Sequence, residues 1–180
     1  MKNQNTKKLA YAALFLVLCL VLPMLTGQIP QIGSMLLPMH IPVLLCGLVC
    51  GWQYGAAVGF VAPLLRSVLF GMPPMYPVAI AMAFELLTYG LVIGLVYRRM
   101  AQKGAAGVYA ALLTAMAAGR IVWGVAEVVL LGLGGKAFTA QAFLAGALLN
   151  AVPGIIVQLV LIPAVMAALQ KAGAVKEYAE

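Results

Sequence analysis

The sequence predicts an all-α integral membrane protein: six transmembrane helices in a compact bundle, with both termini in the cytoplasm. Of its 180 residues, 65% are hydrophobic and only 8% are charged, and the apolar residues form long runs. Most lysines and arginines lie in short segments between those runs and at the termini, as they do on the cytoplasmic side of membrane proteins. This placement accounts for the net charge of +7 without nucleic acid as a partner.

We expect one membrane domain over residues 1–180, with spans at about 8–26, 39–53, 55–70, 77–97, 107–133 and 141–169. A helix of about 20 apolar residues crosses the roughly 30 Å hydrocarbon layer. The first run is too long for a signal peptide and has no small-residue cleavage site after it, so we interpret it as a span. Residues 27–38 are too polar and too rich in proline to span, and we predict a loop there, either outside the membrane or re-entrant.

The second and third segments form a predicted hairpin of two closely packed helices. Glycine recurs at every fourth position in this stretch, at Gly47, Gly51, Gly55 and Gly59, and small residues at that spacing let membrane helices approach closely. The amphipathic residues 52–54 predict the turn of the hairpin at the membrane boundary. The third helix should end before the adjacent Pro73 and Pro74.

Basic residues in the short loops set the predicted orientation. With six spans, three groups fall on one side, which we assign to the cytoplasm: Lys2, Lys7 and Lys8; Arg98, Arg99 and Lys103; Lys171 and Lys176. The opposite side carries only Lys136.

Four charged residues lie within predicted spans: Arg66, Glu85, Arg120 and Glu127. A charge inside the bilayer costs roughly 3 kcal/mol or more, so such residues face a cavity or one another. By residue count, all four lie between the middle of the membrane and its outer surface. This distribution predicts a polar pocket that opens to the outside.

Helix periodicity adds neighbours to these charges. Arg120, Trp123 and Glu127 share one face of the fifth helix, and Glu85 shares a face with Thr88 and Tyr89 on the fourth. In the sixth segment, Asn150 precedes Pro153, which leaves a backbone carbonyl without its helical donor. Apolar and aromatic walls with a few polar groups are typical of small-molecule pockets. The candidate substrate-binding residues are Glu85, Tyr89, Arg120, Trp123, Glu127 and Asn150.

A purely structural role for these charges is the alternative, with Arg66 paired to Glu85 and Arg120 to Glu127. The second pair is poorly placed within one helix, because two turns separate its members by about 10 Å. Arg120 therefore needs Glu85 from across the cavity or an anionic group on a ligand. His40 is interpreted as a polar residue at a loop–helix junction.

The sequence contains no pattern for catalysis, a cofactor or a metal. GxSxG and HExxH are absent, and the glycine-rich stretch before Lys136 lacks the spacing of a phosphate-binding loop. Cys19, Cys46 and Cys50 lie in apolar runs with no nearby histidine or carboxylate, so we predict that they pack in the interior. We expect neither an enzyme nor an ATPase.

Four stretches resemble the substrate-binding S components of energy-coupling factor (ECF) vitamin transporters. They are KKLAYAAL (7–14), IPVLLCGLVCGWQYGAAVGFVAPLLRS (41–67), GMPPMYP (71–77) and NAVPGI (150–155). The resemblance implies a subunit in the prokaryotic plasma membrane that captures a vitamin-like ligand from outside. A transmembrane T component and two cytoplasmic ATPases would then drive import.

The same resemblance assigns further residues. The loop after the first helix becomes a gate, which includes Gln28, Gln31, Ser34 and His40. The resemblance implies that the first helix docks on the T component through Thr6, Ala10 and Ala13. The family often uses Ala-xxx-Ala there, whereas Ala10 and Ala13 are three residues apart and the four-spaced small pair is Thr6 with Ala10. A self-sufficient small carrier or channel, and a non-transport membrane enzyme or assembly factor, remain alternative functions.

Overall fold

The computed structural model describes residues 2–25, 35–100, 103–135, 139–146 and 151–173, and this part of the chain is helical with no strand. Its helices are α1 (Lys2–Leu25), α2 (His40–Cys50), α3 (Trp52–Phe70), α4 (Ile80–Met100), α5 (Ala105–Leu133), α6 (Ala140–Leu144) and α7 (Val152–Lys171). A π-helical turn, Met75–Ala79, leads into α4. Among the described residues, five helices are long and apolar enough to cross a membrane, and α2 is a shorter apolar helix. The predicted all-α bundle of about six membrane helices is confirmed.

Helix α4 is the centre of the bundle. It packs most extensively against α3 and α5, while α1 and α2 pack against each other and against α3. The last helix, α7, contacts α5 and α2. The outward faces of α1, α5 and α7 carry exposed apolar side chains, as expected of surfaces that face lipid.

Close approach among α2, α3 and α4 depends on glycine. A Cβ atom at Gly55 would lie 2.7 Å from the Cα of Gly47 and 2.8 Å from the carbonyl oxygen of Gly90. A Cβ at Gly94 would lie 2.5 Å from the backbone nitrogen of Trp52. The strip predicted for a two-helix hairpin therefore joins three helices, and Gly90 and Gly94 of α4 supply its other side.

The hairpin turn differs from the prediction. Helix α2 ends at Cys50, and Gly51 has φ +97° and ψ 168°, a backbone conformation that side chains other than glycine's rarely permit. Nothing lies within 4 Å of a Cβ built on Gly51, so its role is conformational rather than steric. Residues 52–54, predicted as the turn, form the first turn of α3.

The short length of α2 places its first residue inside the bundle. Eleven residues span only about 16 Å, and His40 is 1% exposed. The chain before it is also buried, since Leu37 and Met39 are 8% and 4% exposed. A Cβ at Gly154 of α7 would lie 2.6 Å from the carbonyl oxygen of Met35. The end of the predicted loop therefore packs within the helices.

Side-chain contacts join helices at both ends of the bundle, and one end carries basic residues. At this end, which we call the basic end, a cavity of about 280 Å³ is lined by residues that include Lys8 and Arg98. The amide of Gln170 donates to the hydroxyl of Tyr97, 3.2 Å away, which ties α7 to α4 there. At the opposite end, the hydroxyl of Tyr76 donates to the carbonyl of Leu130.

Candidate functional site

A buried carboxylate, Glu85 of α4, lies where three helices meet. It is 1% exposed. The Nη1 atom of Arg120, from α5, lies 2.9 Å from its Oε1, and Nε2 of His40, from α2, lies 3.4 Å from the same oxygen. We call His40, Glu85 and Arg120 the Glu85 cluster. Glu85 is one of the two partners anticipated for Arg120.

Tyr89 packs between the helices that carry the Glu85 cluster. Tyr89 follows Glu85 by one turn on the same face of α4 and is 2% exposed. Its ring meets His40 edge to face, with centroids 5.2 Å apart. A Cβ at Gly119 would lie 2.7 Å from Cε1 of Tyr89, so α5 approaches α4 closely just before Arg120.

An aromatic wall lies beside the cluster. The rings of Trp123 and Phe143 stack with centroids 6.0 Å apart and planes at 26°. Cζ of Arg120 lies 5.9 Å from the centroid of the Trp123 ring, within reach of a cation–π attraction. A Cβ at Gly124 or Gly146 would strike Phe143 or Trp123 respectively, so both rings depend on glycine for their positions.

Glu127 lies two turns beyond Arg120 on α5. It is 6% exposed, and neither an ion pair nor a hydrogen bond to it is found among residues 2–25, 35–100, 103–135, 139–146 and 151–173. The structural pairing of Arg120 with Glu127 does not form. Thr88, expected beside Glu85, instead donates its hydroxyl to the carbonyl of Phe84, 2.8 Å away, at an exposed position.

Arg66 takes no part in the cluster. It is 3% exposed, its Nη1 donates to the carbonyl of Leu20 in α1, and its Cζ lies 5.3 Å from the centroid of the Phe70 ring. The alternative pairing of Arg66 with Glu85 is therefore also absent, and Arg66 serves to join α3 to α1.

Several buried polar atoms lack a hydrogen-bond partner within the part of the chain that the structure describes. They are Nδ1 and Nε2 of His40, Oε1 of Glu85, Nε and Nη2 of Arg120, and Nε2 of Gln158. The contact of Arg120 with Glu85 is thus a close ion pair and that of His40 with Glu85 a close polar contact, and neither has hydrogen-bond alignment. A buried polar group left unpaired costs about 1–3 kcal/mol, and such groups in native proteins usually meet water, an ion or a ligand.

Gln158 was not among the predicted residues. The buried face of α7 consists of Gly154, Gln158, Ile162 and Met166, each one turn from the next. That four-residue spacing is visible in the sequence and places the only polar side chain of the series in the interior.

The remaining predicted residues are placed as follows. His40 is the first residue of α2, at the expected loop–helix junction, but it is buried inside the bundle, and its part in a gate stays a prediction. Gln28, Gln31, Ser34 and Asn150 lie outside the described residues.

The proposed docking residues share the outward face of α1. Thr6, Ala10 and Ala13 are exposed, whereas the opposite face, with Ala12 and Phe15, is buried. The small residues on α1 are therefore available at the surface rather than used in the core.

The chain was compared with known protein families, curated proteins and solved structures. The family model described as "ECF transporter, substrate-specific component" matches residues 7–167. No curated protein and no solved structure matches the chain.

Proposed function

Since the chain belongs to the substrate-specific components of ECF transporters, we propose that it captures a vitamin or related micronutrient from outside the cell for an ATP-driven importer. Its membrane would be the prokaryotic plasma membrane. Its partners would be the transmembrane T component and two cytoplasmic ATPases. The whole chain would act as one membrane domain.

The observation that carries this proposal is the Glu85 cluster with its unpaired polar atoms. Charges buried among membrane helices are costly and are usually functional. Here two charged residues and a histidine come from three helices and border an aromatic wall formed by Trp123 and Phe143. A few convergent polar groups beside apolar walls are what a small-molecule site requires. We infer that Glu85, Tyr89, Arg120, Trp123 and Glu127 contact the ligand, together with Asn150.

The basic end of the bundle would face the cytoplasm. Glu127 and the turn at Met75–Ala79 would then lie toward the outside, and ligand would enter from that side. We propose the segment with Gln28, Gln31 and Ser34 as the gate, because the chain that follows it, at residues 35–39, packs against α7 and leads directly to His40.

The T component would dock on the exposed small residues of α1. A flat strip of small side chains allows a partner helix to approach closely within the membrane. Because the opposite face of α1 holds the helix in the bundle, a substitution at Ala10 can block docking without disturbing the fold.

The test is co-purification of the T component and both ATPases with the tagged protein from cells that contain all four. We expect the three partners with the wild-type protein and their loss with Ala10→Trp. Leu113→Trp is the matched control, since Leu113 is 53% exposed on α5, and it should retain them. Absence of the ATPases from the wild-type preparation would contradict the proposal. Ligand uptake by the protein alone would instead make it a self-sufficient carrier.

A further inference from the structure

The guanidinium of Arg120 contacts Glu85 through one of its three nitrogen atoms. Nη1 faces Glu85, while Nε and Nη2 are buried and lack a hydrogen-bond partner in the described ranges. The N–H groups of Nε and Nη2 point the same way along one edge of the planar group. That edge matches the two oxygens of a carboxylate, which it binds through two parallel hydrogen bonds.

The charges around the site limit what else the ligand carries. Arg120 balances Glu85, but Glu127 is buried with no basic partner among the residues that the structure describes. A ligand that added only a negative charge would leave two carboxylates uncompensated. Hydrogen-bond donors or a positive charge at the other end of the ligand would meet Glu127, about 10 Å from Arg120 along α5.

The wall between these two residues is aromatic. Trp123 lies on the same face of α5, three residues after Arg120 and four before Glu127, and it stacks with Phe143. A flat, apolar central part of the ligand packs well against such a surface. The order along α5 is therefore a donor edge, an aromatic wall and an acceptor.

We propose that the ligand is an elongated ring compound with a carboxylate at one end and N–H donors at the other. This inference rests on the proposed function and names its substrate class. Arg120 binds the carboxylate through Nε and Nη2, Trp123 and Phe143 pack against the ring, and Glu127 accepts from the N–H groups. A carboxylate fits better than a phosphate, because it is planar and places a single negative charge beside Glu85.

The first experiment measures binding of three matched probes to the detergent-purified protein by calorimetry. The probes are 4-aminobenzoate, which has both end groups, its methyl ester, which lacks the carboxylate, and benzoate, which lacks the amine. We expect 4-aminobenzoate to bind at least 10-fold more tightly than the other two. Equal affinity for the ester, or no binding of 4-aminobenzoate, would overturn the inference.

A variant pair assigns the effect to Arg120. Arg120→Lys keeps a positive charge beside Glu85 but removes the planar donor edge, so affinity for 4-aminobenzoate should fall at least 10-fold at a nearly unchanged melting temperature. Arg66→Lys is the matched control, because Arg66 is also a buried arginine within a span but donates to Leu20 of α1, and it should bind like wild type. Equal loss in both variants would overturn the assignment.

Native mass spectrometry with a mixture of water-soluble vitamins separates this inference from the proposed function. The mixture contains acids (nicotinate, pantothenate, biotin and folate) and compounds without a carboxylate (nicotinamide, riboflavin, thiamine and pyridoxine). We expect biotin or folate, the acids with both a ring and N–H donors, to be retained, and retention of pantothenate, which has no ring, or nicotinate, which has no N–H group, would overturn the inference. Retention of a compound without a carboxylate would overturn the inference and support the proposed function. Retention of none would contradict the inference, and co-purification of the ATPases would then decide the proposed function.

Discussion

The ion pair between Glu85 and Arg120 provides a test of whether the buried charges serve stability or binding. We consider Glu85→Leu and Arg120→Met singly and together. Their side chains are 2% and 13% exposed, and the charged atoms are 2.9 Å apart. Either single substitution leaves the other charge buried without its partner, which costs about 3–5 kcal/mol. Replacing both with apolar residues of similar size is often neutral or stabilising.

The expected melting temperatures follow from these energies. In a chain of this size each kcal/mol corresponds to about 2–4 °C, so each single variant should melt about 6–20 °C below wild type. The double variant should melt within about 5 °C of wild type, yet fail to bind ligand. Thermal unfolding in detergent and calorimetric binding are the two assays.

Two results would refute this reasoning. Additive losses in the double variant would show that the charges do not compensate each other. A double variant that melts normally and still binds ligand would show that the Glu85 cluster is not part of the site. Near-normal stability with lost binding would exclude a purely structural role for the pair.

Two further predictions concern packing and orientation. Gly90→Ala should lower the melting temperature, because its Cβ would lie against the backbone of Gly55 and overpacking costs about 1–3 kcal/mol or more. Gly132→Ala is the control and should not lower the melting temperature, because nothing lies within 4 Å of a Cβ at that position. Equal melting temperatures of the two variants would show that the close approach is incidental. Cysteine placed at Lys136 should react with an impermeant reagent in intact cells, whereas cysteine at Lys103 should not. The reverse labelling would contradict the orientation and the outward-facing pocket.

Much of this architecture is readable from the sequence, because helices and membrane spans follow from local patterns. The apolar runs predicted the bundle, and periodicity placed Arg120, Trp123 and Glu127 on one face. Depth and charge then suggested Glu85 as a partner of Arg120, which the structure shows at 2.9 Å.

What the sequence did not reveal depends on contacts between helices. The spacing of the glycines in α2 and α3 is visible in the sequence, but their contact with Gly90 of α4 is not, because periodicity identifies a helix face and not its partner. The loop–helix junction at His40 is visible in the sequence, but its burial is not, because it depends on α2 being too short to bring its first residue to the surface. The sequence places Gly51 in the same small-residue strip as Gly47 and Gly55, because only its positive φ distinguishes it from them.

The most direct test of the central claim is a crystal structure of the protein purified with its bound small molecule. The account predicts density beside Arg120 and Trp123, within hydrogen-bond distance of the Nε and Nη2 atoms. Density confined to the cavity at the basic end, beside Lys8 and Arg98, with none at the Glu85 cluster, would contradict it.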